Sequence, residues 1–336
     1  MASFTAAPAF EAGHRLLVLA PHPDDETLVT GELLQRARVA GAEVRVVIAT
    51  DGDDNPWPQR WIERRWHIDA SARRRWGKRR REESLRALDV LGVPRAAVHH
   101  LGWGDGSLTG RLIGDANAED ELADVIATFA PTHVAVPVLD DRHPDHSALR
   151  VLAELAWATR RVAPAQRLGF VVHACARVAT RTAAHGPLLK RKLEALGMHT
   201  SQLALSAKRM HGIAMREECF DTSVPFMHLS DGGFSLPLRG PHLRARELLI
   251  IATIGRWAWR GRLRLRHGSS TLRLESAGAA PLEGRIDCRR GRADFTFTGC
   301  APECVFAKLH RRGRRLLIFD TEGWHAFGGV PVVEHP

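Results

Sequence analysis

No apolar stretch in the 336-residue chain approaches the roughly 20 residues that a membrane-spanning helix needs, so none is expected. The N-terminus, MASFTAAPAFEAGHR, has neither the basic start nor the long apolar segment of a secretory signal. Its small residues are compatible with a short disordered leader. Cysteine is scarce: Cys175, Cys219, Cys288, Cys300 and Cys304 form an odd, scattered set. That pattern argues against a disulfide framework and for reduced thiols in the cytoplasm. The Cys300/Cys304 pair has no second pair at zinc-site spacing to close a four-ligand site. No internal repeat, low-complexity linker or known nucleic-acid motif stands out.

Apolar residues make up 44% of the chain, enough for a packed core. The formal charge of +10 is unevenly spread. Pro56–Arg81 holds nine Arg and one Lys against Glu63 and Asp69, a net +8 in one segment. Such a run is either a solvated helix face or a surface for an anionic partner: phosphate, lipid headgroup or nucleic acid. Trp57, Trp61, Trp66 and Trp76 are interleaved with it.

Periodicity organises the rest. His14–Ala20 and Val44–Ala49 read as buried strands, with a helix between them marked by Val29, Leu33, Ala37 and Ala40 and closed by Gly41. Glu82–Leu91 reads as a helix, Ala97–Leu101 as a strand and Gly102–Gly106 as a glycine-rich loop. Glu119–Phe129, Ser147–Arg160 and Leu188–Leu196 read as helices, and Val134–Val138 and Phe170–Ala174 as strands. Strands alternating with helices predict an α/β, Rossmann-like, mostly parallel sheet with helices on both faces. Further on, Leu263, Leu265, Leu272, Leu274, Phe295 and Phe297 alternate with polar residues, the period of half-buried strands. We therefore expect an α/β domain over residues 1–231 and a smaller β-rich appendage over 232–336.

Two dense clusters carry the chemistry. PHPDDE (Pro21–Glu26) follows the first strand, and His143-Pro144-Asp145-His146 follows the apolar run Val134–Leu139. Open α/β sheets bind their ligands past the carboxyl ends of such strands. His22, Asp25 and His146 offer two imidazoles and a carboxylate, the three-ligand set of a catalytic Zn2+ whose fourth position holds water. The metal brings that water's pKa to about 7. Asp24 is placed to take its proton as general base. His143 either faces a developing oxyanion or protonates a leaving amine. His-Pro-Asp also occurs in ordinary turns, so the shared placement of two clusters matters more than either one.

PHPDDE, Thr50-Asp51-Gly52, Arg80-x-x-Glu83 running into Leu91-Gly92, Asp105-Gly106, HPDH and His199-x-x-Gln202 together resemble the PIG-L/LmbE family of zinc-dependent de-N-acetylases, over roughly Arg15–Ser223. The resemblance implies a Rossmann-like fold, with zinc on His22, Asp25 and His146, Asp24 as base and His143 assisting. It implies hydrolysis of the acetamide of an N-acetylglucosamine-type sugar. Zn2+, or another divalent metal such as Fe2+, is the implied cofactor. Asp105 and Arg80 are the expected substrate contacts, against plainer roles as a turn-stabilising Asp and a helical partner of Glu83. Glu26 is expected to support the helix start or orient a ligand. His67, His99, His100, His133 and His173 read as structural. Trp61 and Trp66 are candidates to stack on sugars or line a groove.

The basic Pro56–Arg81 segment and the β-rich tail exceed the family pattern. They suggest an anionic glycoconjugate as substrate, lipid-linked or a lipopolysaccharide precursor, with peripheral contact at the inner face of a membrane. The alternative is a basic nucleic-acid or membrane-surface binding protein with a secondary metal site. Oligomeric state is open at this stage.

Overall fold

The computed structural model describes residues 4–159, 161–173, 186–223, 226–229, 233–238, 246–289, 291–311, 319–320 and 322–329. The chain opens with β1 (Phe4–Ala6), β2 (Arg15–Ala20), α1 (Asp25–Val39) and β3 (Glu43–Thr50). Next come α2 (Pro56–Glu63), α3 (Ala70–Val90), β4 (Val98–Trp103), α4 (Leu108–Gly114) and α5 (Ala116–Phe129). Then follow β5 (His133–Pro137), α6 (Pro144–Ala158), β6 (Gln166–Phe170), α7 (Pro187–Leu196), α8 (Thr200–Ala214) and β7 (Cys219–Asp221). Among the described residues that follow, the elements are strands: β8 (Phe226–Met227), β9 (Gly233–Pro237), β10 (Arg246–Ile254), β11 (Trp257–Arg264) and β12 (Gly268–Ser276). They end with β13 (Ala279–Arg289), β14 (Arg292–Phe297), β15 (Cys304–Arg311) and β16 (His325–Gly328).

The elements fall into two compact units that interleave in sequence. The first holds residues 1–108, 129–138 and 165–223. Its seven-stranded sheet runs β1-β7-β6-β5-β2-β3-β4. β4, β3, β2, β5 and β6 are parallel, while β7 and β1 close one edge antiparallel. Leu16–Ala20 are wholly buried, as in a strand covered on both faces. The core is packed from Leu16, Val18, Val46, Ile48, Leu168 and Phe170 of the sheet with Leu33, Leu34, Leu88 and Leu196 of the helices. Because β2 continues to β3 on one side and lies beside β5 on the other, the strand order reverses between β2 and β5. Such a reversal is the kind of switch point at which open α/β sheets bind ligands.

The second unit holds residues 109–128, 139–164 and 224–336. Its nine-stranded sheet runs β8-β16-β15-β10-β11-β12-β13-β14-β9 and is antiparallel except for the β16–β8 pair. Alternate residues bury one face: Leu272, Leu274, Ile286, Phe295 and Phe297 join Phe234 and Phe327 in one core.

The α/β class and the β-rich tail are as the sequence predicts. The boundary expected at residues 231/232 lies outside the described residues, as does Ala174 at the end of an expected strand. Three local expectations change. β6 ends at Phe170 rather than beginning there, because Arg167–Phe170 are the buried residues that pair with β5. α3 starts at Ala70, not Glu82, and Asp69 caps it by accepting the Ala72 N–H at 2.7 Å. α6 starts at Pro144 rather than Ser147, since proline suits the first helical position.

Candidate active site

In the first unit the turn after β2 gathers most of the expected residues. His22 and Asp25 are 8% and 2% exposed, so both donors are held inside the protein. Asp25 Oδ2 accepts the His22 backbone N–H at 3.1 Å and lies 3.2 Å from His22 Nδ1. His22 Nε2 lies 3.1 Å from Asp105 Oδ1, on the loop after β4. His22 thus stands between two carboxylates on the rim of the sheet, Asp25 at Nδ1 and Asp105 at Nε2. Asp105 Oδ2 also accepts the Asp54 backbone N–H, joining the loops after β3 and β4.

Asp24 is held differently. Its φ of 146° is a conformation that side chains other than glycine rarely adopt. It persists because the surroundings over-determine it. Its N–H donates to Glu26 Oε2 at 2.9 Å, and its Oδ2 accepts from Arg80 Nη2 at 3.0 Å.

Arg80, expected at the substrate, is turned inward: it is 4% exposed. Its guanidinium also donates to Gly52 O at 2.7 Å and Pro23 O at 2.8 Å. Gly52 is required here. A Cβ would fall 1.8 Å from Arg80 Nη1, and φ is +60°. The expected helical pairing of Arg80 with Glu83 gives way to a different one. Glu83 binds Arg79 at 3.0 Å and accepts from Ser201 N–H, Ser201 Oγ and Thr200 Oγ1, fastening the start of α8 to α3. Arg81 takes Asp51 with two nitrogens, at 2.6 and 2.8 Å.

Beneath this turn lies a buried polar network. Glu26, fully buried, accepts from Thr27 Oγ1 and Ser84 Oγ as well as from the Asp24 N–H. Burial lifts its carboxyl to about 7, although the bond from Asp24 N–H works the other way. His199 Nε2 lies 3.1 Å from Thr27 Oγ1 and 3.5 Å from Glu26 Oε1. Burial first, and then the charge of Arg80, hold this imidazole down at about 3, so it is neutral. The expected support role of Glu26 is therefore played through Asp24, α3 and α8.

In the second unit, His143 is the N-cap of α6: its Nδ1 accepts the Asp145 N–H at 3.3 Å. His146, with no exposed surface, lies one turn on, its ring centroid 4.8 Å from that of His143. Asp141 serves both. Its Oδ1 accepts the His143 N–H at 2.9 Å, and its Oδ2 lies 3.4 Å from His146 Nδ1. A carboxylate behind a histidine fixes the ring and its tautomer. Asp141 escaped the sequence reading, though a second His/Asp run after a strand was the signal for it. The tail also reaches this helix: Lys308 of β15 is wholly buried and donates to Ser147 Oγ at 3.1 Å. Lys308 also pairs with Asp320 at 2.6 Å, and burial lowers its pKa. Phe319 lies edge-on to His143, centroids 6.1 Å apart.

This arrangement defines a class: an α/β protein whose His- and Asp-bearing loops leave the carboxyl ends of parallel strands. Residues 17–157 match the PIG-L family model, described as GlcNAc-PI de-N-acetylase. The segment contains His22, Asp24, Asp25, Arg80, Asp105, His143 and His146. A 1D-myo-inositol 2-acetamido-2-deoxy-alpha-D-glucopyranoside deacetylase of Tsukamurella paurometabola is 32% identical over 142 residues, 39% of this chain and 45% of the relative. The protein so named in Mycolicibacterium gilvum is 34% identical over 153 residues, 39% of this chain and 50% of the relative. The chain thus spans about half the length of the curated relatives it matches. Among solved structures, the N,N'-diacetylchitobiose deacetylase from Pyrococcus horikoshii is similar with a TM-score of 0.45 and 21% identity, over 60% of this chain and 77% of that one.

Proposed function

We propose that the protein is a metal-dependent hydrolase that removes the N-acetyl group from an N-acetylglucosamine-type sugar within an anionic glycoconjugate. The family match over residues 17–157 and the names of the relatives support the reaction class. The observation that carries the reading is the Asp24 carboxylate, fixed by buried Arg80 beside two buried donors, His22 and Asp25, on one turn.

In this reading His22, Asp25 and His146 hold the metal. The donor set suits Zn2+, since two imidazoles and one carboxylate leave a position for water. A divalent metal held by these residues would supply Lewis acidity toward water and the amide carbonyl at neutral pH.

The chain's own groups do the rest. Asp24 receives the proton of the attacking water at Oδ1 or Oδ2. Arg80 positions Asp24 rather than touching the sugar. His143 stabilises the oxyanion or returns a proton to the departing amine, and Asp141 sets its backbone. Asp105 receives sugar hydroxyls from the loop after β4. Catalysis is assigned to residues 1–231, with 232–336 as an appendage that braces α6.

Metal analysis of the purified chain tests the ligand set. His22→Ala and His146→Ala should each lower bound zinc and abolish acetate release from N-acetylglucosamine derivatives. Unchanged zinc in both variants would overturn it.

A further inference from the structure

The basic segment is not a uniform solvated face. It folds into α2 and the start of α3, and α2 has two sides. Pro58 and Gln59 are buried, and Gln59 Nε2 donates to Ala72 O at 2.7 Å, locking α2 to α3. Trp57, Arg60, Trp61 and Arg64 recur at the 3, 4 and 7 spacing that places residues on one helical face. That face points to solvent: Trp57 is 58% exposed, Trp61 68%, and Trp66 just beyond the helix 79%. Tryptophans so exposed contribute little to the core, and three together on a charged segment call for a partner.

The aromatic groups are already assembled. Trp57 and Trp66 meet edge to face with centroids 6.5 Å apart, and the Arg60 guanidinium lies 4.9 and 5.1 Å from their ring centroids. Asn55 and Pro56 fix the start of α2, and Arg64 in a left-handed conformation ends it. Around this plug are the exposed Arg64, Arg65, Arg73, Arg74, Arg75 and Lys78. Arg73 and Arg75 are paired with Asp54 and Glu63, whereas Arg64, Arg74 and Lys78 make no ion pair among the described residues.

We infer that the Trp57–Trp61–Trp66 face of α2, with its ring of arginines, docks the protein on an anionic lipid surface. Tryptophan prefers the headgroup level of a bilayer, where its ring is buried and its N–H stays wet. Neighbouring Arg and Lys strengthen the attachment near an anionic leaflet. Single-stranded nucleic acid fits less well. Base stacking needs open aromatic faces along a groove, and here Trp57 and Trp66 are engaged with each other and with Arg60.

The location gives the contact a purpose. α2 leaves the carboxyl end of β3, on the same rim as His22, and Asp54 links Arg73 to Asp105. Docking there would present the His22–Asp105 cluster to the headgroup of an amphiphilic sugar. This use of the contact rests on the deacetylase reading; the contact itself does not.

The test is sedimentation of the full chain with phosphatidylcholine vesicles, with and without phosphatidylglycerol. Binding is expected only with phosphatidylglycerol, weakening as salt rises. The triple variant Trp57→Ala/Trp61→Ala/Trp66→Ala should weaken it at least about tenfold, in line with lost interfacial apolar area. If the triple variant fails to fold, Trp61→Ala alone should weaken it measurably. No binding to anionic vesicles at low salt, or equal binding by the tryptophan variants, would overturn the inference. So would preference for a single-stranded oligonucleotide over the vesicles. Acetate release from a soluble N-acetylglucosamine derivative, measured separately, distinguishes failure of this contact from failure of the proposed reaction.

Discussion

Arg80 Nη2 donates to Asp24 Oδ2 across 3.0 Å, joining residues 56 apart in sequence. The bond holds the proposed base against a backbone conformation with φ of 146°. Arg80 does this from inside the protein, with its other contacts on Gly52 O and Pro23 O. Arg80→Lys keeps the charge but loses the fork that reaches all three acceptors. Steady-state kinetics should show kcat lower by about 100-fold, the usual scale for a misplaced group, with KM and metal content near normal. A change confined to KM would instead return Arg80 to the substrate.

Gly52 depends on the same guanidinium. Gly52→Ala puts a Cβ where Arg80 Nη1 lies and adds strain at φ +60°. We expect a loss of about 1–3 kcal/mol in urea melts. A kinetic defect in the direction of Arg80→Lys should accompany it.

His199 makes stability depend on pH. In the unfolded chain its imidazole takes a proton near 6.5, whereas burial delays this to about 3 in the folded protein. Between those values the unfolded state binds more protons, so stability is complete above pH 6.5 and falls as pH drops toward 3. The effect is at most about 5 kcal/mol. Urea midpoints followed against pH should fall less steeply for His199→Gln. An unchanged slope would show that other groups control acid sensitivity.

Lys308 tests whether the tail supports the second histidine cluster. Lys308→Met leaves Asp320 and Ser147 without their buried cation. Removing one partner of such a pair typically costs about 3–5 kcal/mol. Thermal unfolding should show the loss. Lys308→Arg should recover only part of it, because the longer, planar head does not fit a site with no exposed surface.

Much of this was legible from the residues. Buried strands such as Leu16–Ala20 declared themselves through continuous apolar runs, and PHPDDE and HPDH through their density of His and Asp. The long α3 was hidden, because its inward stripe of Ala72, Trp76, Arg80, Glu83 and Ala87 is partly charged and defeats a hydrophobic period. Arg80 and Glu83 read as partners across one turn, yet each bonds outward to a distant segment, which spacing does not reveal. Lys308 was invisible for a similar reason: its role comes from a tertiary contact with α6.

The most direct test of the central claim is acetate release by the zinc-loaded full chain beside its Asp24→Asn variant. Soluble, nucleotide-linked and lipid-linked N-acetylglucosamine substrates should all be offered. The account predicts one acetate and one free amine per turnover on at least one of them, a loss of about 100-fold or more in the variant, and equal zinc in both proteins. Metal-loaded protein that releases no acetate from any of them, or an Asp24→Asn variant as active as the parent, would contradict it.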